Sequence, residues 1–303
     1  MKKELRIVFM GTPEFAVTIL DKLIENKYNI VGVITAPDKP AGRGRKLNES
    51  AVKKYASQKG LNILQPTNLK NEDFIKELAS LNSNLQIVVA FRMLPKVVWQ
   101  MPEYGTFNLH ASLLPNYRGA APINWAIING ETSTGVSTFF IDEKIDTGEM
   151  ILQESIDIDE DETAGSLHDK LMYLGSDLII KTVELIKEGI VTTTPQPENI
   201  TIKTAYKLNN DNCKIDWTDT LDNIYNKVRG LNPYPSAWSE LYNDDETFRV
   251  KIYAVKKELA DHNYDYGKVV IIKKEMKIAA NNGYIIIKEM QLDGSLKDAL
   301  AQK

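Results

Sequence analysis

Short apolar runs alternate with stretches of helical spacing through the first half of the chain. The apolar runs at 5–10, 30–34, 61–64 and 85–90 predict strands. Apolar residues recur every three or four positions at 15–26, 50–59 and 74–81, which predicts helices. Strands that alternate with helices in this way favour a parallel sheet with helices on both of its faces.

The pattern continues to about residue 189 and then changes. Further strands are predicted at 106–110, 135–141 and 150–156, before a long helix at 163–187. A polar segment with two prolines follows, which is typical of a linker. Beyond it come a helix near 220–229, alternating strands at 250–255, 268–272 and 284–288, and a hairpin signal at Asn282-Gly283. These features predict a small β-barrel.

Length and composition agree with this division. A chain of 303 residues with 43% hydrophobic residues can form two domains with cores of their own. We expect one domain at 1–189, a linker at 190–208 and a second domain at 209–303. The single cysteine, Cys213, excludes a disulfide within the chain, and no segment approaches the roughly 20 apolar residues of a membrane helix. We therefore expect a cytoplasmic protein.

One segment of the chain is much more basic than the rest. The net charge of −4 creates no overall field that would attract nucleic acid. Between Asp38 and Lys54, however, there are six basic side chains against two acidic ones; Arg43 and Arg45 each follow a glycine, and Lys46 comes next. A flexible basic loop can order on phosphates and base edges, although an exposed loop of this kind is more often simply solvated.

The candidate chemistry begins on the strand predicted at 106–110. Residues i and i+2 of a strand share a face, so Asn108 and His110 lie side by side while Leu109 packs on the other face. An amide donor beside an imidazole suits an oxygen that becomes negative during acyl transfer, and the imidazole can also exchange a proton near neutral pH. The alternative is a buried histidine whose hydrogen bonds are only structural.

A carboxylate follows the next predicted strand. Asp146 stands in the segment Asp146-Thr147-Gly148, just past a strand end, where sheets of this class hold ligands. A solvated turn is the alternative for such a sequence. The first strand ends in a single glycine, Gly11, without the further glycines of a dinucleotide site. That absence argues against an oxidoreductase.

Taken together, these motifs resemble the folate-dependent formyltransferases. The resemblance rests on Asn108-x-His110, on the loop at 112–122 and on Asp146-Thr147-Gly148. Supporting matches lie at 9–16, 37–44, 88–90, 214–217 and 229–235. The fold that the resemblance implies is α/β, with a Rossmann-like parallel-sheet formyltransferase domain followed by a small β-barrel (OB-like) domain.

The resemblance also implies roles for individual residues. Asn108, His110 and Asp146 would be catalytic, and 10-formyltetrahydrofolate would donate the formyl group without any metal. Six residues would bind folate, namely Ser112, Leu113, Leu114, Pro115, Phe91 and Arg92. The family usually has Tyr-Gly where this chain has Phe91-Arg92.

The basic insert and the motifs of the second half narrow the expected acceptor. They indicate that the acceptor is the amino group of methionine carried by initiator tRNA. Arg43, Arg45 and Lys46 would bind the tRNA, and the second domain would contribute further contacts. No obligate protein partner and no membrane contact are expected. One alternative is a formyltransferase acting on a glycinamide ribonucleotide or an amino sugar, which needs neither feature. Another is a non-catalytic RNA-binding protein, which would leave Asn108, His110 and Asp146 without a role.

Overall fold

The computed structural model describes residues 4–41, 46–197, 201–243, 246–272 and 274–293. The chain forms two compact units. The first comprises Met1–Arg118, Gly135–Ile156 and Asp169–Lys203. The second comprises Gly119–Thr134, Asp157–His168 and Thr204–Lys303.

The elements alternate in the first half and are mostly strands in the second. The helices are α1 (Glu14–Glu25), α2 (Ala51–Gln58), α3 (Glu72–Ser80), α4 (Lys96–Trp99), α5 (Pro122–Ile128), α6 (Ala164–Glu188) and α7 (Leu221–Leu231). The strands up to the long helix are β1 (Arg6–Gly11), β2 (Asn29–Ile34), β3 (Lys39–Ala41), β4 (Lys46–Asn48), β5 (Ile63–Leu64), β6 (Leu85–Val89), β7 (Thr106–His110), β8 (Arg118–Gly119), β9 (Ser133–Phe140) and β10 (Met150–Asp157). The later strands are β11 (Thr204–Ala205), β12 (Ala237–Asn243), β13 (Glu246–Leu259), β14 (Val269–Ile272), β15 (Glu275–Ala280) and β16 (Gly283–Asp293).

A seven-stranded sheet in the order β10-β9-β7-β6-β1-β2-β5 organises the first unit. The ladders from β5 to β7 are parallel, so the loops that follow β6 and β7 leave the sheet at the same edge. β9 is antiparallel to β7 and pairs Phe107 with Phe140 and His110 with Ser137. Its last residues therefore lie beside the beginning of β7, at the opposite edge.

Helices cover both faces of this sheet, as the alternation of elements predicts. Phe74 and Leu78 of α3 pack with Val8, Met10 and other side chains on one face. On the other face, α6 approaches β7 closely enough that a Cβ on Gly175 would lie 2.8 Å from a methyl of Leu109. Leu109 thus points into the packing under α6, which leaves Asn108 and His110 on the opposite face.

The second unit contains a five-stranded antiparallel sheet in the order β12-β13-β16-β15-β14, a half-barrel where the sequence predicted a small β-barrel. Helix α7 closes its core through Leu221, Ile224, Val228 and Leu231. Register shifts between Ile252 and Val255 interrupt the long β13–β16 ladder, and irregularities of this kind bend a strand. The hairpin signal is confirmed with a shift of one residue. Ala280 pairs with Gly283, so the turn is Asn281-Asn282.

Candidate active site

Strand β7 brings two polar side chains to one face of the first sheet. Asn108 is partly exposed, and the part of the chain that the structure describes shows no hydrogen bond to its side-chain amide. His110, at the end of the strand, is only 7% exposed. The predicted pair is therefore present, and its amide is free to donate to a ligand.

His110 is oriented by a backbone carbonyl. Its Nε2 lies 2.7 Å from the carbonyl oxygen of Tyr117. A carbonyl oxygen only accepts hydrogen bonds, so Nε2 carries the proton and donates it. The other ring nitrogen, Nδ1, lies 3.9 Å from Oδ2 of Asp146. The sequence signals for these two residues, 36 positions apart, thus meet in one place.

The loop with Asp146 reaches His110 by an indirect route. The sequence predicted Asp146 beyond a strand end at the edge that holds ligands. Because β9 is antiparallel to β7, the loop starts at the other edge, where the amide of Ile141 donates to the Thr106 carbonyl at 2.8 Å. β7 advances about 3.3 Å per residue, so the loop runs back along most of the strand to place Asp146 beside His110.

Contacts within the loop hold this return path. Thr147 donates its hydroxyl to both carboxylate oxygens of Asp142, at 2.8 and 2.9 Å. Asp146 has a positive φ of 54°, a region in which Asp is among the better-tolerated side chains. At Gly148 a Cβ would lie 1.7 Å from the Phe140 carbonyl oxygen, so only glycine fits there.

The loop after β7 contains the first group of predicted folate residues. Ser112 is fully buried and donates its hydroxyl to the Asn116 carbonyl at 2.7 Å, which shapes the loop. Ser137 accepts from the amide of Leu114 at 3.2 Å, and Gln153 donates to the Leu114 carbonyl at 3.0 Å. Leu113 and Pro115 are partly exposed, whereas Leu114 is buried. Only Leu113 and Pro115 therefore have accessible side chains in this group.

The loop after β6 contains the second group. Phe91 packs partly against the core of the first sheet. Arg92 donates to the carbonyls of Pro66 and Thr67, the second at 3.0 Å, and its guanidinium lies over the Phe91 ring. Burial lowers the pKa of Arg92. The arginine that departs from the family's usual residue thus ties the loop after β6 to the loop after β5.

Comparison with known proteins agrees with this geometry. Residues 5–183 match the family described as formyl transferase, and residues 207–299 match the formyl transferase C-terminal domain. The chain belongs to the formyl transferase family. The methionyl-tRNA formyltransferase of Flavobacterium johnsoniae is 62% identical over 300 residues, covering 99% of this chain and 95% of the relative. That of Flavobacterium psychrophilum is 62% identical over 296 residues, covering 97% and 94%.

The fold of this formyl transferase is also found in solved structures. A sugar 3N-formyl transferase crystallised with dTDP and 5-N-formyl-THF matches it with a TM-score of 0.66 at 22% identity. The match covers 97% of this chain and all of the other. At that identity the likeness concerns the fold alone.

Exposed apolar side chains flank the site of this formyl transferase. Met93 and Val97 follow β6, and Ile145 precedes Asp146; these three are 66%, 47% and 62% exposed. The ammonium of Lys96 contacts the Glu143 carboxylate and so joins the two segments. We call Met93, Val97 and Ile145 the apolar rim. Sequence reasoning missed it because the two segments are almost fifty residues apart.

The basic insert, residues 38–47, includes most of two short paired strands. β3 and β4 pair Lys39 with Asn48 and Ala41 with Lys46. Arg43 and Arg45, both predicted to bind tRNA, lie outside the described residues, as does the side chain of Lys46. At the base of this hairpin Asp38 accepts from Lys53 and from Gln65, the latter at 2.8 Å. Lys53 also pairs with Glu49 at 2.9 Å, so both acidic residues of the basic stretch are paired with one lysine.

Two further observations concern binding. Within the described ranges, His, Cys, Asp and Glu side chains form no group of three or more that could hold a metal ion. No helix in the same ranges is long and apolar enough to cross a membrane.

Proposed function

We propose that this formyl transferase moves the formyl group of 10-formyltetrahydrofolate onto the amino group of methionyl initiator tRNA, giving N-formylmethionyl-tRNA for translation initiation. The observation that carries the chemistry is the meeting of three groups on one side of β7. These are the free amide of Asn108, the oriented ring of His110 and the carboxylate of Asp146, 3.9 Å from that ring. The 62% identity with methionyl-tRNA formyltransferases supports the acceptor.

Each of the three groups has a separate role. Asn108 donates its amide to the formyl oxygen as that oxygen gains negative charge. His110, with Nε2 committed to Tyr117, uses Nδ1 as its only exchangeable position and supports the same charge when Nδ1 is protonated. Asp146 stabilises the protonated ring and helps to move the proton lost by the attacking amine towards the departing folate nitrogen.

The residues around the site suit a reduced folate, which supplies the formyl group on a nitrogen that can leave. The loops at Phe91-Arg92 and Ser112–Pro115 leave the sheet at one edge, on the neighbouring strands β6 and β7. The apolar rim beside them offers Met93, Val97 and Ile145 to a flat ring. We assign folate contact chiefly to Leu113, Pro115, Phe91 and the rim, and we assign Ser112, Leu114 and Arg92 the shaping of the pocket.

Recognition of tRNA is assigned to two regions. Arg43, Arg45 and Lys46 would contact phosphates and base edges of the acceptor stem, where arginine makes bidentate contacts. Residues 1–189 would form the catalytic domain, 190–208 the connection and 209–303 the tRNA-binding domain. A cytoplasmic location follows from this role in translation.

A formyl transferase with a small acceptor is the alternative. A glycinamide ribonucleotide or an amino sugar would use the same Asn108, His110 and Asp146. An enzyme with such a small acceptor would not require the β3–β4 hairpin of the basic insert. The hairpin therefore favours tRNA as the acceptor.

The experiment is a transfer assay with labelled 10-formyltetrahydrofolate. Charged initiator methionyl-tRNA is the test acceptor, and uncharged tRNA, glycinamide ribonucleotide and an amino sugar nucleotide are the controls. Transfer restricted to the charged tRNA is the expected result. Transfer to a small amine instead would retain the chemistry and reject the acceptor, and no transfer to any amine would reject both.

A further inference from the structure

Gln196 links two parts of the site that the proposed mechanism leaves unconnected. Its side chain is buried, and its Nε2 donates to the carbonyls of Asp146 and Gly148, at 2.9 and 2.8 Å. Its Oε1 accepts from Nη2 and Nε of Arg118, at 2.6 and 3.2 Å. One amide therefore joins the backbone of the Asp146 loop to the side chain of Arg118.

The chemistry of these partners fixes which way the amide points. A guanidinium only donates and a carbonyl only accepts, so the oxygen of Gln196 faces Arg118 and its nitrogen faces the loop. An amide offers two N–H groups on one atom and an acceptor on the other, as this site requires. A glutamate here would bring a carboxylate against the carbonyls of Asp146 and Gly148, and a methionine would bond to neither side.

Arg118 connects this arrangement to His110. The residue before it, Tyr117, supplies the carbonyl that accepts from Nε2 of His110. Tyr117 is held in turn by its own amide, which donates to the Lys203 carbonyl at 2.6 Å. Consequently the ring of His110 and the backbone of Asp146 are both fixed to the dipeptide Tyr117-Arg118, the second through Gln196.

The segment that holds Gln196 is itself attached to the Asp146 loop. Thr194 exchanges two backbone hydrogen bonds with Met150, both of 2.9 Å. Thr193 donates its hydroxyl to Glu149. Residues 193–196 thus run antiparallel to 146–150, which places the Gln196 amide beside the loop.

We propose that Gln196 is a positioning residue, which holds Asp146 at its working distance from His110, with Arg118 fixing the orientation of the amide. The inference rests on the proposed roles of His110 and Asp146. Gln196 touches neither substrate in this account and acts only through the backbone of the loop. A displacement of about 1 Å at a catalytic group can lower a rate about a hundredfold.

The test is a double-mutant cycle with Gln196→Met and Asp146→Asn in the full chain, measured as kcat and KM for formyl transfer. Gln196→Met alone is expected to lower kcat by about 10–100-fold while both KM values change less than about threefold. In the Asp146→Asn background the same change is expected to lower kcat by less than about twofold, because the group that it positions is already gone. Gln196→Glu should resemble Gln196→Met, since it keeps the contact to Arg118 but cannot donate to the loop.

A matched control is Gln86→Met. Gln86 is also buried and stands near the start of β6. Among the described residues, its side chain accepts only from the Thr106 hydroxyl, at 3.0 Å. Its replacement should leave kcat unchanged. A full-rate Gln196→Met, or an equal loss in both backgrounds, would overturn the inference. If the wild type formylates a small amine instead of tRNA, the acceptor assignment has failed, and the cycle is measured with that amine. The inference about Gln196 is then tested separately, by the change in kcat for that amine.

Discussion

The carbonyl oxygen of Tyr117 occupies Nε2 of His110 at 2.7 Å, and so Nδ1 is the ring nitrogen left for chemistry. Nδ1 faces Oδ2 of Asp146 at 3.9 Å. A deprotonated Nδ1 would present a lone pair to a carboxylate, whereas a protonated one would present a donor. The carboxylate of Asp146 therefore lies beside the ring nitrogen left for chemistry, and Asn108 lies on the same face of β7 as that ring.

The first prediction concerns this pair. His110→Ala and Asp146→Asn should each lower kcat by about 10²–10⁴-fold, the usual contribution of a group that transfers a proton. Asparagine tolerates the positive φ of position 146, so Asp146→Asn should keep the loop. Thermal unfolding and steady-state kinetics together check this. Near-normal turnover by either folded variant would show that the reacting groups lie elsewhere.

Gly148 gives a prediction about the loop itself. A Cβ at this position would lie 1.7 Å from the Phe140 carbonyl oxygen, so Gly148→Ala must push the loop away from β9. We expect kcat to fall by about tenfold or more, because Asp146 moves with it. Gly60→Ala is the control: Gly60 has a positive φ of 67°, which strains alanine, but a Cβ there meets no atom within 4 Å. It should lose about 1 kcal/mol of stability and keep its kcat. Equal kinetic effects in the two variants would contradict the role of the loop.

The sequence predicts the strands and the shared face of Asn108 and His110 well, because local periodicity determines both. The strand predicted at 106–110 matches β7 residue for residue, and Leu109 packs on the opposite face from Asn108 and His110 as expected. The bounds of the other strands and helices predicted in the first half differ from the observed ones by two residues at most. Buried positions repeat every second residue in a strand and every third or fourth in a helix, and sequence alone shows both periods.

Contacts between distant segments were not predictable in the same way. Gln196 stands in a segment with the composition of a linker, yet its amide bonds to a loop fifty residues earlier. Arg92 bonds to two carbonyls about 25 residues before it. The local sequence around neither side chain predicts which group it will bond to, since any backbone carbonyl can accept such a hydrogen bond. The return of the Asp146 loop along β7 likewise depends on the antiparallel direction of β9, which periodicity does not reveal.

Arg92 yields a prediction about folate binding. Arg92→Met removes the bonds to Pro66 and Thr67 and should loosen the loop after β6. We expect the KM for 10-formyltetrahydrofolate to rise by about three- to tenfold, since ordering a loop side chain costs roughly 1 kcal/mol, with the KM for tRNA unchanged. Arg6→Met is the matched control, because Arg6 bonds in the same manner to the carbonyls of Leu81 and Asn82 at the opposite edge of the sheet. An unchanged folate KM in Arg92→Met would remove Arg92 from the pocket.

The base of the β3–β4 hairpin yields a prediction about tRNA. The bond from Lys53 holds the pKa of Asp38 below its usual range, so the carboxylate stays ionised at neutral pH and anchors the hairpin. Asp38→Asn should raise the KM for tRNA by about three- to tenfold by weakening the base of the hairpin, as Arg43→Ala should by loss of a contact. The folate KM should not change in either. Asp177→Asn, which breaks the Lys22–Asp177 pair of 2.9 Å far along the chain, is the control. A rise in the tRNA KM of the control would show a general charge effect instead.

Arg229 supports a prediction about the second unit. It is 9% exposed, donates to the Glu162 carbonyl at 3.0 Å and to Asn226 at 2.8 Å, and lies over the ring of Tyr225. Arg229→Met removes both bonds, one of them to the carbonyl of the buried Glu162, which should lower the free energy of unfolding by about 1–3 kcal/mol. Arg229→Lys should lose nearly as much, because an ammonium cannot span both acceptors as the guanidinium does. Denaturant unfolding of the full chain measures both variants. If Arg229→Lys is as stable as the wild type, the positive charge at this position, and not the forked geometry of the guanidinium, stabilises the second unit here.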